Sequence, residues 1–179
     1  MAALAQAVTA GVTVDSSTAN VNNPAAAADG VTPANFTDWQ TNSAWWNGVA
    51  VNPADAITFK LDKAYRLTSA TVTLDWNDLY RFYASTDGVN FNEQLFTVFG
   101  YTDQQVVNSG QVTMSVSFAE TAKAYQYVRV QAVFGDGLYS VGEVSFSGTA
   151  APVPEPSALA LMLGGMGLVA FIARRRRLR

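Results

Sequence analysis

Trp45 and Trp46 adjoin Asn47, and Trp76 adjoins Asn77 and Asp78 with Arg81 close behind. An indole face is flat and apolar, while amide, carboxylate and guanidinium groups beside it donate and accept hydrogen bonds. That combination suits a sugar ring, which has an apolar face and a polar rim. The same aromatics serve equally well as core residues, and Trp39 is expected to be one. Trp45, Trp46 and Trp76, with Asn77, Arg81 and Tyr139, are the candidates for ligand contact; Tyr101 follows on the same argument. Carboxylates offer a second chemistry. Asp75 with Asp78, or Asp136 with Glu143, would serve glycoside hydrolysis if two acids faced each other across a cleft, although acids in loops are ordinarily just solvated. The chain contains no histidine and no cysteine. This removes the commonest general base, the commonest zinc ligands and every Ser-His or Cys-His nucleophile pair. A function without catalysis is the expectation.

The elements that must carry these residues are strands. Ala70, Val72 and Leu74 alternate with Thr71, Thr73 and Asp75; Val112, Met114, Val116 and Phe118 alternate with Thr113, Ser115 and Ser117; Val128, Val130 and Ala132 alternate with Arg129 and Gln131. Period two marks half-buried antiparallel strands. Further strands are expected at Ile57 to Leu61, Leu79 to Ser85, Phe91 to Val98, Tyr125 to Val133 and Val141 to Ser147. Asp87-Gly88, between two of these runs, is a hairpin signal, because both central positions of the favoured turn need positive φ. Eight or so short strands in this length predict an all-β sandwich over residues 8–148. The first 35 residues, rich in Ala, Asn, Ser and Thr, read mostly as loop, and residues 149–156 as a linker.

Charge divides the chain. Residues 1–151 hold thirteen acids and six bases, a net of −7, whereas residues 152–179 hold one acid and five arginines, a net of +4. An acidic body repels phosphate backbones, so nucleic acid is not an expected partner. Residues 157–173 are uncharged and apolar; as a helix they span roughly 25 Å, the short end of the transmembrane range. Arg174, Arg175, Arg176 and Arg177 follow at once and keep that end cytoplasmic, so the body faces outward. Residues 1–7 read as the small-residue remnant of a signal peptide, with the precursor expected to start further upstream.

Val153-Pro154-Glu155-Pro156, an apolar stretch with Gly164-Gly165 and Gly167, and a terminal arginine cluster together resemble the PEP-CTERM sorting signal of Gram-negative bacteria. The resemblance implies processing by an exosortase near Pro-Glu-Pro, a single-pass membrane precursor, and a mature form attached to the surface or secreted alongside exopolysaccharide. The body carries Asp29-Gly30, Trp39, the run 57–63, the run 83–91 with Ser85-Thr86-Asp87-Gly88, Tyr127-Val128-Arg129-Val130, Glu143 and Gly148. In that order it is similar to a discoidin-type, galactose-binding-like domain. This implies a jelly-roll β-sandwich with ligand loops at one end, and a structural calcium held by Asp29 and Glu143. The competing reading of those two is that Asp29 caps a turn and Glu143 pairs with a base such as Arg129. The expected partner is extracellular polysaccharide or a cell-envelope glycan. A structural matrix protein without a soluble ligand is the second reading, and a polysaccharide hydrolase the third.

Overall fold

The computed structural model describes residues 6–48, 55–99 and 110–152. Within them nine strands run β1 (Val8–Thr9), β2 (Val12–Ser17), β3 (Ala44–Asn47), β4 (Ala56–Asp75), β5 (Leu79–Ser85), β6 (Glu93–Phe99), β7 (Gln111–Ser117), β8 (Tyr125–Phe134) and β9 (Leu138–Ala150). They form an all-β sandwich in which β4 belongs to both layers. Its first half pairs antiparallel with β2, Val12 opposite Leu61, and with β8, Phe59 opposite Val128. Its second half pairs with β7 and β9, where Val72 lies opposite Met114 on one side and Val144 on the other. β5 and then β6 extend the first layer beyond β8; β1 and β3 flank β9 in the second.

The corner between the two halves of β4 is fixed by Asp62. One carboxylate oxygen accepts the Gly11 N–H at 3.0 Å and the Tyr65 hydroxyl at 2.8 Å, and the register with β8 slips between Lys60 and Tyr65. Gly148 lets β9 cross this corner, since a Cβ there would collide with the Arg66 carbonyl. The alternating apolar residues point between the layers as expected: Ala70, Val72, Leu74, Val128, Val130 and Ala132 are all buried. Phe82 stacks on Phe96 at 4.5 Å and meets Phe146 of the other layer edge-on at 6.4 Å. Each such buried side chain stabilises the sandwich by roughly 1.5–3 kcal/mol through area removed from water.

Two expectations need correction and one needs an addition. The described residues up to 35 lie mostly outside strands, but Val12–Ser17 forms an edge strand whose partly buried Val12 and Val14 pack against the core. Thr149 and Ala150 belong to β9 rather than to a linker, and the Ala151 N–H still donates to the Ala64 carbonyl at 2.8 Å. The β5–β6 hairpin exists, but its connection is seven residues long and only Gly88 takes a positive φ, 74°. Asp87 organises that loop instead: its carboxylate accepts the N–H groups of Val89 and Asn90 at 2.9 and 2.8 Å and the Ser85 hydroxyl at 2.8 Å. These bonds hold its pKa well below the usual carboxylate range. The expected membrane helix, Val153, Pro154, Glu155, Pro156, Arg174 to Arg177 and Tyr101 lie outside the described residues; among those described, no helix is long and apolar enough to cross a membrane.

Strand direction gives the sandwich two unlike ends. At one, called the loop end, the turns 76–78 and 135–137 meet the last residue of β3, with Leu79 in register with Phe99 and Phe134, and Asn47 with Leu138. At the other, the tail end, lie the 86–92 loop, the start of β8, β1 and the end of β9: Val8 pairs Gly148, and Tyr65 pairs both Tyr125 and Ala150.

Candidate functional site

At the loop end three chain segments are tied together by short polar bonds. The Asn77 side-chain amide donates to Asp136 Oδ2 at 2.8 Å, the Asp136 N–H donates to Asp78 Oδ1 at 3.3 Å, and the Leu138 N–H donates to Asp136 Oδ1 at 2.8 Å. The Gly48 N–H donates to the Gly137 carbonyl at 2.9 Å and brings in the end of β3. Gly135 is required here, because a Cβ would overlap the Asp78 carboxylate. Beneath the loops the rings of Trp46, Tyr80 and Tyr139 form a triad with centroids 5.8–6.4 Å apart. The Tyr80 hydroxyl donates up to Asp78 Oδ2 at 3.1 Å and accepts the Ser140 N–H at 3.0 Å. The loops therefore rest on a rigid aromatic floor, the kind of support that holds a binding constellation in place.

The acids of this cluster are adjusted by their surroundings. Asp78 is 0% exposed and Asp75 3%. Burial first, then the charges of Asp75 and Asp136, push the Asp78 pKa up to about 8. Burial, and to a lesser degree Asp136, pushes Asp75 up to about 6. Asp78 thus holds its proton to higher pH than a solvated carboxyl does, the direction that a desolvated site favours. Neither acid meets solvent, so the imagined hydrolytic pair Asp75 and Asp78 has no open cleft between its members. Asp136 is bonded to Asn77 and Glu143 to Gly30, on different loops.

Of the ligand candidates, Trp76 and Asn77 sit in this cluster, half-buried. The Trp76 N–H is anchored to the Gly110 carbonyl at 3.1 Å and to Asp75 Oδ1 at 2.9 Å. The Asn77 side-chain oxygen is buried without a hydrogen-bond partner. Trp45 lies half-buried against Trp39, edge-on at 5.4 Å. Trp46 and Tyr139 are each 1% exposed and belong to the core, not to the surface. Adjacent residues of a strand face opposite ways, so β3 turns Trp46 inward and Trp45 outward. Arg81 is exposed in β5, opposite Thr97 and Gln131, below the loops rather than among them. The sequence reading missed an apolar row at this end: Phe134 is 61% exposed and Phe99 45%, and both lie in register with Leu79. The signal available for it was Phe134 standing directly before Gly135-Asp136-Gly137.

Asp29 and Glu143 do meet. Asp29 Oδ1 accepts the Val31 N–H at 2.8 Å, and Glu143 Oε2 accepts the Gly30 N–H at 3.1 Å. Burial and then the neighbouring Asp29 charge raise the Glu143 pKa. Arg129 does not neutralise it, since that guanidinium lies over the Phe91 ring at 3.8 Å and donates to Thr58. Two carboxylates converging on one loop without a base fit a hard cation in donor chemistry. No group of three acidic side chains among the described residues is placed to hold a metal, so carbonyls and water would have to complete the set.

Residues 152–177 match the PEP-CTERM protein-sorting motif, which marks the chain as an exported protein addressed to the cell envelope. No curated protein matches the chain. Among solved structures it is similar to CBM32-1 from a family 31 glycoside hydrolase of Clostridium perfringens, at 14% identity and a TM-score of 0.51, covering 75% of this chain and 92% of that one. A family 89 glycoside hydrolase of the same organism matches at 20% identity and a TM-score of 0.53 over 81% of this chain, but only 15% of the hydrolase. The fucolectin from striped bass (Morone saxatilis) serum matches at 17% identity and a TM-score of 0.53, over 82% of this chain and 49% of the lectin. The fold is the discoidin-like, galactose-binding-like jelly-roll sandwich.

Proposed function

We propose that this chain, a discoidin-like sandwich bearing a PEP-CTERM motif, is an exosortase-processed envelope protein that binds extracellular polysaccharide at its loop end without catalysis. The observation that carries the reading is the loop cluster itself. A half-exposed indole, Trp76, stands beside Asn77 and Asp136 on loops held by the buried Asp78 and an aromatic floor. The orphaned Asn77 oxygen is the acceptor that a ligand hydroxyl would satisfy after a small shift of the loop. The carbohydrate-binding module and the fucolectin of the same fold support the ligand class. In this reading Asp29 and Glu143 hold a structural calcium that fixes the loop after the 3₁₀ turn Pro24–Ala28.

Binding of the full-length chain, in a detergent without a sugar headgroup, to an array of bacterial polysaccharides is the test. A defined signal that falls about tenfold or more in Trp76→Ala, at unchanged melting temperature, is expected, because a sugar face loses most of its contact area with the indole. An empty array sinks the reading. The apolar row Phe99, Leu79 and Phe134 favours the alternative, a matrix protein that assembles through that face. Concentration-dependent self-association abolished by Phe134→Ser would establish it.

A further inference from the structure

A pocket lies at the tail end, about 180 Å³ in volume, between the 86–92 loop and the start of β8. Its floor is Ala84, Ser85 and Tyr125, all buried, and its walls are Thr86, Asn90, Asn92, Glu93 and Lys123. We infer that this pocket is a binding site for a single neutral sugar ring, separate from the loop end.

One wall, the turn from Ser85 to Asn90, is fixed before any ligand arrives. Ser85 Oγ accepts the Gly88 N–H at 3.0 Å and donates to Asp87, whose other oxygen accepts the Asn90 side-chain amide at 2.8 Å. A preorganised loop spares the ordering cost of binding. The lining also selects the ligand. Asn90 spends its amide on Asp87, which leaves its side-chain carbonyl as an acceptor; Asn92 keeps both halves of its amide. Burial, and then the neighbouring Glu93 carboxylate, raise the Tyr125 hydroxyl pKa. That carboxylate retains lone pairs for further donors. One carboxylate and one ammonium cancel, so neither a phosphate nor a polyanion is matched, and Ala84 with the Tyr125 ring is too little apolar surface for an acyl chain. Neutral groups outnumber the charged pair. Vicinal hydroxyls, each donating to Glu93 or Asn90 and accepting from Lys123 or Asn92, use this mixture fully. The volume falls below the roughly 300–1,000 Å³ of a site for drug-sized molecules, which limits the ligand to one ring.

Leu79–Ser85 connects the loop end to this pocket, and seven residues at about 3.3 Å each set the two sites about 23 Å apart. If the loop-end reading also holds, one molecule grips two glycan strands and cross-links them.

The test is amide chemical-shift titration of the isotope-labelled full-length chain in dodecyldimethylamine-oxide micelles with galactose, glucose, mannose and fucose in turn, and glycine as a zwitterion control. Saturable shifts at Asn92, Lys123 and Tyr125 are expected with at least one sugar, weakened about tenfold in Asn92→Ala and in Glu93→Gln, each the loss of a hydrogen bond to a polar ligand. Amides of Trp76, Asn77 and Asp136 report the loop end separately, so either site can fail alone. Tail-end amides that stay still with all four sugars, or that move equally in the variants, or that answer only to glycine, overturn the assignment.

Discussion

Changing Asp78 to Asn tests whether the loop end is held by a buried neutral acid. Asp78 is fully buried, accepts the Asp136 N–H and the Tyr80 hydroxyl, and carries a pKa raised to about 8 from an ordinary value of 3.8. A carboxyl that binds its proton more tightly when folded is protonated in the native state and ionised in the unfolded chain between those two values. Stability must then fall as pH rises from about 4 to about 8. At about 1.4 kcal/mol for each tenfold in proton affinity, the full gap corresponds to roughly 6 kcal/mol. Asp75 and Asp136 share the same repulsion, so the loss expected between pH 5 and pH 8.5 is about 2–3 kcal/mol. For a body of this size that lowers the melting temperature by roughly 6–9 °C. Asparagine has the same shape, still accepts at one atom, and cannot ionise. Thermal unfolding followed by circular dichroism should show the wild-type midpoint dropping over this range and the Asp78→Asn midpoint dropping by several degrees less. Parallel curves for the two proteins would refute the assignment of a neutral acid at this position.

Trp46→Ala should cost about 3–5 kcal/mol, because it empties the floor under the loops rather than removing a surface contact; chemical denaturation measures it. If Asp29 and Glu143 hold calcium, a chelator should lower the melting temperature of the wild type and leave Glu143→Gln unaffected, by the linkage between ligand binding and stability. An identical midpoint with and without chelator dismisses the cation.

The layers of the sandwich were readable because their strands alternate strictly: Val72 and Val130 announce which face is inward before any partner is known. β2 was not, since Val12-Thr13-Val14-Asp15-Ser16-Ser17 lies at an edge and half-buries only two side chains. An edge strand has little apolar signal to give. Trp45 and Trp46 expose a second limit. One of two neighbours in a strand must face the core, but which one depends on the pairing of Trp46 with Tyr139 and Trp45 with Ser140 across β9. That pairing joins residues more than ninety positions apart, and no local pattern encodes it. The acidic cluster was visible as separate aspartates in separate loops; their meeting is a product of Gly135 allowing one turn to lie on the other.

β9 is bonded to β4 along one edge and to β1 and β3 on the other, and its last residues lead directly into the tail. A pull between the loop end and the tail therefore acts along the strand, across hydrogen bonds that lie perpendicular to it. All of them must yield together, in shear, instead of opening one after another like a zip. If the loop end holds a polymer and the other end is tethered, as proposed, the load falls on β9 in this shearing direction.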